Sequence, residues 1–262
     1  MRSHLSVFRI TLYLAALLVA LYVVVPLLFV VLQSFNPRLT LWPEEFTLRW
    51  YQMRSGGLVP ALITSFSVSV PATLIGVAVS IPLGLAMTRY QFRAKGLVQQ
   101  MISLPIVVPG VALGLAYLQM VNSTFLRNVH PLAILIAVHT IIVIPYAARP
   151  IIAGFQALDR TLEEASATLG ATPGVTFRKV VLPLLTSSVL SGAVLGFSRS
   201  LNDFIITLFL VQPGVVPLAV QVYQTTQYGL PQLTSALGTV LLLFSVAFTT
   251  VAERILRVEV EV

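Results

Sequence analysis

Arg199 and Asp203 stand four residues apart inside a long apolar run, Leu184 to Val211, and are the one arginine and the one acidic residue within any such run of the chain. At i and i+4 on a helix the two side chains meet, which lowers the cost of holding either charge in hydrocarbon. Two chemistries fit. One is a structural ion pair, joined by Asn202, that fixes one helix in a bundle; the other is a solute pathway on which Asp203 and Asn202 touch a passing cation. Covalent chemistry lacks its parts. The histidines are His4, His130 and His139, with no H-E-x-x-H helix, and there is no cysteine to act as thiolate or zinc ligand. His139 has no second histidine or carboxylate at ligand spacing, so it is expected to be a packed or hydrogen-bonded core residue rather than part of a metal site. Without a G-x-x-x-x-G-K-[ST] loop to cradle phosphates, nucleotide chemistry is not expected in this chain, nor any other enzymatic activity.

A second polar constellation occupies residues 155–183. Thr161 and Glu164 have capping-box spacing, and Glu163 adds negative charge at the positive helix end, so a helix is expected from near Leu162. Leu158, Leu162, Ala165 and Leu169 recur at i, i+4, i+7 and i+11 and form one apolar stripe. Gly170 supplies a left-handed helix end, and Thr172-Pro173 reads as the N-cap and first residue of a second short helix that stops at Leu182-Pro183. Such a hairpin suits either a docking partner or a position flat on lipid headgroups.

The elements that must hold these residues follow from hydropathy. At 57% hydrophobic and 10% charged, with mean hydropathy +0.92, the chain carries more apolar surface than one soluble core can hide. A net charge of +7 would suit nucleic acid, but the basic residues sit at the ends of apolar runs, so lipid bilayer is the expected partner and nucleic acid is not. Runs of about 20 apolar residues cross a bilayer as helix, and six occur, at about 11–33, 59–88, 98–121, 132–148, 184–211 and 233–251. The first is too long for a signal-peptide core and lacks a small-residue cleavage site, so it is read as a span. The fold class expected is an all-α membrane protein, one transmembrane domain over 1–262, with six transmembrane helices and a polar insert between helices 4 and 5.

Orientation follows from the basic residues. With the N-terminus inside, eleven of them (Arg2, Arg9, Arg89, Arg93, Lys95, Arg149, Arg160, Arg178, Lys179, Arg254 and Arg257) face the cytoplasm and four (Arg38, Arg49, Arg54 and Arg127) face out. That bias places both termini and the insert in the cytoplasm. Pro60, Pro71 and Pro82, with Pro105, Pro109 and Pro145, interrupt the spans, and Gly76, Ser80 and Gly84, Gly110 and Gly114, and Gly192 and Gly196 offer small faces for close helix packing. Outside the spans, Trp42, Trp50 and Tyr51 in the first outer loop are expected at headgroup level, with Trp50, Tyr51, Tyr223 and Tyr228 as candidates to contact an extracytoplasmic partner.

The run Glu164-Ala165-Ser166, then Gly170, then after nine residues Val180-Val181-Leu182-Pro183, resembles the EAA signature of bacterial ABC importer permeases, with serine at 166 in place of the usual second alanine. Ser34-Phe35-Asn36, Phe46 to Tyr51, Ser200 to Thr207 and Pro213 to Val220 resemble the corresponding segments of the spermidine/putrescine-type permeases, so the likeness covers essentially the whole chain. The resemblance implies a permease subunit of an importer in the bacterial cytoplasmic (inner) membrane. It implies as partners a second, related permease, two ABC ATPase subunits that bind ATP and Mg, and a solute-binding protein. It also implies that Glu163, Glu164, Ala165, Gly170, Leu182 and Pro183 form the ATPase-coupling segment and that Arg199, Asn202 and Asp203 face the pathway. Polyamine is the cargo it favours, against an opine, a phosphonate, ferric iron or thiamine. An ion-coupled secondary transporter is the rival class; it would need several intramembrane carboxylates and an internal repeat, and Asp203 stands alone.

Overall fold

The computed structural model describes residues 2–38, 40–52 and 57–260; Arg54, counted above among the outer basic residues, and the two ends of the 1–262 domain lie outside them. Along the chain run α1 (Arg2–Gln33), α2 (Arg49–Gln52), α3 (Leu58–Arg89), α4 (Lys95–Val107), α5 (Gly110–Ser123), α6 (Pro131–Ala157), α7 (Arg160–Thr168), α8 (Pro173–Thr176), α9 (Leu182–Leu184), α10 (Thr186–Leu201), α11 (Ile205–Leu210), α12 (Leu218–Gln227) and α13 (Pro231–Val260). Among the described residues the lone β feature is an isolated bridge, Gln212 to Val215. The fold is all-α, as expected. Contacts divide the chain into two units, Met1–Leu58 with Gln221–Leu242, and Val59–Val220 with Leu243–Val262.

Among the described residues, four helices are long and apolar enough to cross a bilayer unbroken, Thr11–Gln33, Leu58–Arg89, Pro131–Ala157 and Pro231–Val251. They correspond to the first, second, fourth and sixth expected spans. The third and fifth differ. Residues 98–121 are not one straight helix: α4 and α5 meet at 104°. Val108 is extended at φ −73°, ψ 133° because the ring of Pro109 excludes the helical conformation from the residue before it. Residues 184–211 break at Asn202, and α11 begins afresh at Ile205. Pro109 at the first break and Asn202-Asp203 at the second mark these places in the sequence, but neither states the change of direction.

In the larger unit the core is built on α6, whose Leu135, Val138, Ile142, Val143, Ala147, Ile151 and Phe155 are buried. The small-residue faces of α3 and α10 pack on it. A Cβ at Gly76 would lie 2.6 Å from Val143 Cγ1, one at Gly84 2.9 Å from the Phe155 ring, and one at Gly192 2.8 Å from the backbone carbonyl oxygen of Ala147. The first two would press on side chains; the third would press on main chain, which cannot rotate away. Gly192→Ala is therefore expected to destabilise the bundle by about 1–3 kcal/mol, the usual cost of overpacking, seen as a lower melting temperature in detergent. Gly96→Ala, where nothing lies within 4 Å, is the control.

Candidate functional site

Two places gather the polar residues singled out above. The first is the insert. Leu158 alone separates the end of α6 from Asp159, whose Oδ1 accepts the Thr161 backbone N–H at 3.0 Å. Asp159, not Thr161, is thus the N-cap, and α7 starts at Arg160, two residues ahead of expectation. A carboxylate at the positive helix end is a strong acceptor for the orphan N–H groups and begins the helix sooner. The bonds from the backbone and then the side chain of Thr161 hold the Asp159 carboxyl below its ordinary value. A depressed carboxyl stabilises the folded helix above the unfolded carboxyl's range and loses that contribution as pH falls through the folded value. Amide-exchange protection of α7 is accordingly expected to persist at neutral pH and to fall in acid.

The far end of α7 closes as read. Gly170 lies at φ +82°, the Ala171 N–H bonds the Ser166 carbonyl at 3.1 Å and the Gly170 N–H bonds the Ala167 carbonyl at 2.9 Å. This double closure needs a residue that tolerates the left-handed conformation. Ser166, the departure from the signature, is not idle, for its hydroxyl lies 2.9 Å from that of buried Thr176 and ties α7 to α8. The second insert helix does not stop at Leu182-Pro183. It continues through a π turn, Phe177–Val181, in which the Leu182 N–H reaches the Phe177 carbonyl, and ends at Leu184 before a 66° bend into α10. The widened turn spaces the backbone so that Pro183, lacking an N–H, sits in the first turn of α9, where a proline is tolerated.

Three contacts fasten the insert to the end of α3. Arg89 Nε donates to Glu163 Oε1 at 2.8 Å with Nη2 at 2.6 Å from the same oxygen, Arg89 Nη2 also donates to the Leu158 carbonyl at 3.2 Å, and Arg160 Nη2 donates to the Thr88 carbonyl at 2.9 Å. Glu163 therefore faces inward. Glu164 and Ala165 are exposed, as are Leu162 at 44% and Leu169 at 89%, so the apolar stripe beyond Leu158, which packs on the core, points away from its own chain. Leu182 is half-buried and Pro183 exposed.

The second place is the break between α10 and α11. Asn202 ends α10 with its side-chain amide on the Ser198 carbonyl at 2.9 Å, and its Oδ1 accepts the Ser245 hydroxyl at 3.1 Å. Asp203 Oδ1 pairs with Arg199 Nη1 at 2.8 Å, while Oδ2 accepts the Thr207 backbone N–H at 3.0 Å and its hydroxyl at 2.9 Å. One carboxylate thus closes the helix before it and caps the helix after it, the internal satisfaction that a break within hydrocarbon requires. His139 is buried and hydrogen-bonded, with Nδ1 2.8 Å from the Ser200 hydroxyl and Nε2 3.0 Å from that of Thr207; Ser200 reaches on to Ser69 at 3.1 Å. Arg199 lies 5.9 Å from the centre of the Tyr146 ring. Around the break, the bend of α4 and α5 and the start of α11 enclose a cavity of about 380 Å³, lined by Pro105, Gly110, Tyr146, Arg199, Asn202 and Asp203 among others. Sequence reasoning brings Arg199, Asn202 and Asp203 together but misses Tyr146 and Thr207; the recurrence of hydroxyls at Ser200 and Thr207 opposite a lone His139 is the available signal.

In the smaller unit, the Trp50 indole N–H donates to the Asn36 carbonyl at 2.9 Å, and the Tyr51 hydroxyl donates to Ser34 Oγ at 2.6 Å. The two segments of the first loop noted in the sequence therefore hold each other. In the loops Trp42 at 70%, Phe46 at 71% and Tyr228 at 73% turn outward, and the Tyr223 hydroxyl accepts from Gln227 Nε2 at 2.6 Å.

Residues 80–258 match the family described as binding-protein-dependent transport system inner membrane component. The chain is 26% identical over 239 residues, 90% of each chain, to the spermidine/putrescine transport system permease protein PotC of Escherichia coli K12. It is 29% identical to the putrescine transport system permease protein PotI of the same strain, over 83% of this chain and 80% of that one. Among solved structures it resembles a chain of a bacterial ABC transporter involved in import of the acidic polysaccharide alginate, with TM-score 0.72, 14% identity and coverage of 95% and 96%. It also resembles a chain of the MetNI methionine ABC transporter in inward-facing form, with TM-score 0.63, 18% identity and coverage of 81% and 99%.

Proposed function

Since the chain belongs to the family of binding-protein-dependent transport system inner membrane components, we propose that it forms one half of the solute pathway of an ATP-driven importer in the bacterial inner membrane. Two ABC ATPase subunits, which bind the ATP and Mg, supply the energy; a second, related permease completes the pathway; a solute-binding protein delivers the cargo. Both termini and the insert face the cytoplasm, the orientation that the basic residues favour. The names of the curated relatives support a polyamine as cargo.

The observation that carries this reading is the insert. A short capped helix presents Leu162, Glu164, Ala165 and Leu169 outward while its opposite side is fixed to α3 through Glu163 and Arg160. A rigid knob on a rigid mount transmits a push from a docked motor and biases an inward-facing against an outward-facing state. Asn202 and Arg199 face the pathway, with Asp203 holding the break in which they sit. Trp50, Tyr51, Tyr223 and Tyr228 belong to the loops that meet the binding protein.

Purification from native membranes tests the reading. Wild type is expected to bring down an ATPase and a second permease, and the Glu164→Arg, Gly170→Arg double variant to keep the permease and lose the ATPase. If wild type comes down alone while the ATPase is expressed, the insert is a headgroup-bound hairpin and the importer reading fails.

A further inference from the structure

We infer that the solute carries an acidic group, a carboxylate or phosphonate-type oxyanion, beside any amine, and that Arg199 receives it; this rests on the permease reading above and departs from the bare polyamine that the relatives' names favour. The acidic residue of the site is already spent. Asp203 is 3% exposed, Arg199 occupies its Oδ1, and Thr207 occupies Oδ2 with both its N–H and its hydroxyl. An ammonium group could reach this carboxylate only by displacing one of those donors.

Arg199 is in the opposite condition. A guanidinium has N–H donors on three nitrogens in a planar fork. Here Nη1 serves Asp203, and no further hydrogen bond of the guanidinium occurs among the described residues. Its side chain is 29% exposed beside the cavity of about 380 Å³, where the Asp203 side chain is 2% exposed. The ion pair is therefore met from its Arg199 side, with donors set at the spacing of an oxyanion.

Further along α4 and α6, a second cavity of about 430 Å³ is lined by Lys95, Gln99, Ser103, Arg149 and Gln156, with no acidic residue in its lining. Arg149 is exposed and has no hydrogen bond or ion pair among the described residues. A bare polyamine moving along these helices would pass two cationic stations with no accessible carboxylate. A solute bearing an oxyanion would find a donor at each. An amine that also carries a carboxylate keeps the nitrogen chemistry of the relatives' cargo and adds the group that Arg199 takes.

Arginine labelling of the assembled wild-type importer in lipid nanodiscs tests this. Phenylglyoxal modification of the Arg199 peptide is followed by mass spectrometry in chloride, acetate, methylphosphonate or putrescine at equal ionic strength, with exposed Arg93 as reference. Acetate or methylphosphonate is expected to slow labelling of Arg199 by roughly threefold, the occupancy factor at a concentration near twice Kd, with Arg93 unchanged and putrescine without effect. Protection by putrescine, or by neither oxyanion, overturns the inference. The permease reading fails separately, through absence of the ATPase from the purified assembly.

Discussion

Arg89→Ala is expected to leave the protein in the membrane and its ATPase bound, yet to cut solute accumulation by roughly tenfold or more, since an interaction worth about 1.4 kcal/mol carries that factor. Among the described residues, Arg89 is the one side chain that joins Glu163 and the Leu158 carbonyl to α3. The pair is only partly exposed, at 12% and 27%, so its loss leaves Glu163 desolvated without a partner, costlier than loss of a surface ion pair. The exposed stripe of α7 does not involve Arg89, so docking persists while the mount loosens. ATP hydrolysis by the reconstituted assembly should continue but cease to respond to loaded binding protein. Restoration of uptake by the charge exchange Arg89→Glu with Glu163→Arg would identify the pair itself as the cause. Full coupling in Arg89→Ala would show that the Arg160 bond to Thr88 and the covalent join to α6 suffice.

Asp203→Asn is expected to lower uptake by a similar or greater factor at equal membrane abundance. The amide is nearly isosteric and its oxygen can still accept from Thr207, so the cap of α11 survives. What is lost is the charge opposite Arg199, and the new NH₂ group turns a donor toward a donor. Removing one member of such a pair inside a bilayer leaves a cation to find another partner, and it swings within the cavity. Unchanged uptake at equal abundance would remove this break from the pathway and leave the ion pair a fastening of the bundle.

The sequence makes the four unbroken spans legible because apolar length reports the solvent, and the solvent dictates helix. It also makes Gly170 legible, because a left-handed position has few chemical solutions. The two breaks are legible only as interruptions: Pro109 marks one and Asn202-Asp203 the other, but neither residue pair tells how far the next helix turns. The order of caps at Asp159 and Thr161 turns on competition between two acceptors two residues apart, which only the entry of the chain from α6 resolves. The partner of Glu163 lies 74 residues away, beyond the reach of any local rule. Spacing alone pairs Asp203 with Arg199, but which of them is accessible depends on Thr207, a residue the pattern does not mark.

The attachments of α3 have a mechanical meaning. Its last residue holds Glu163, and near its other end the Ser65 hydroxyl accepts the backbone N–H of Leu218, the first residue of α12. Those anchor points are 24 residues apart, about 36 Å along a helix, roughly the thickness of the hydrocarbon. In the arrangement proposed above, a single strut therefore ties the insert, where the motor would dock, to the start of α12. Movement at one end of α3 is then not independent of movement at the other: the two are phased by one helix, which would keep the proposed pathway from standing open at both faces without any separate latch.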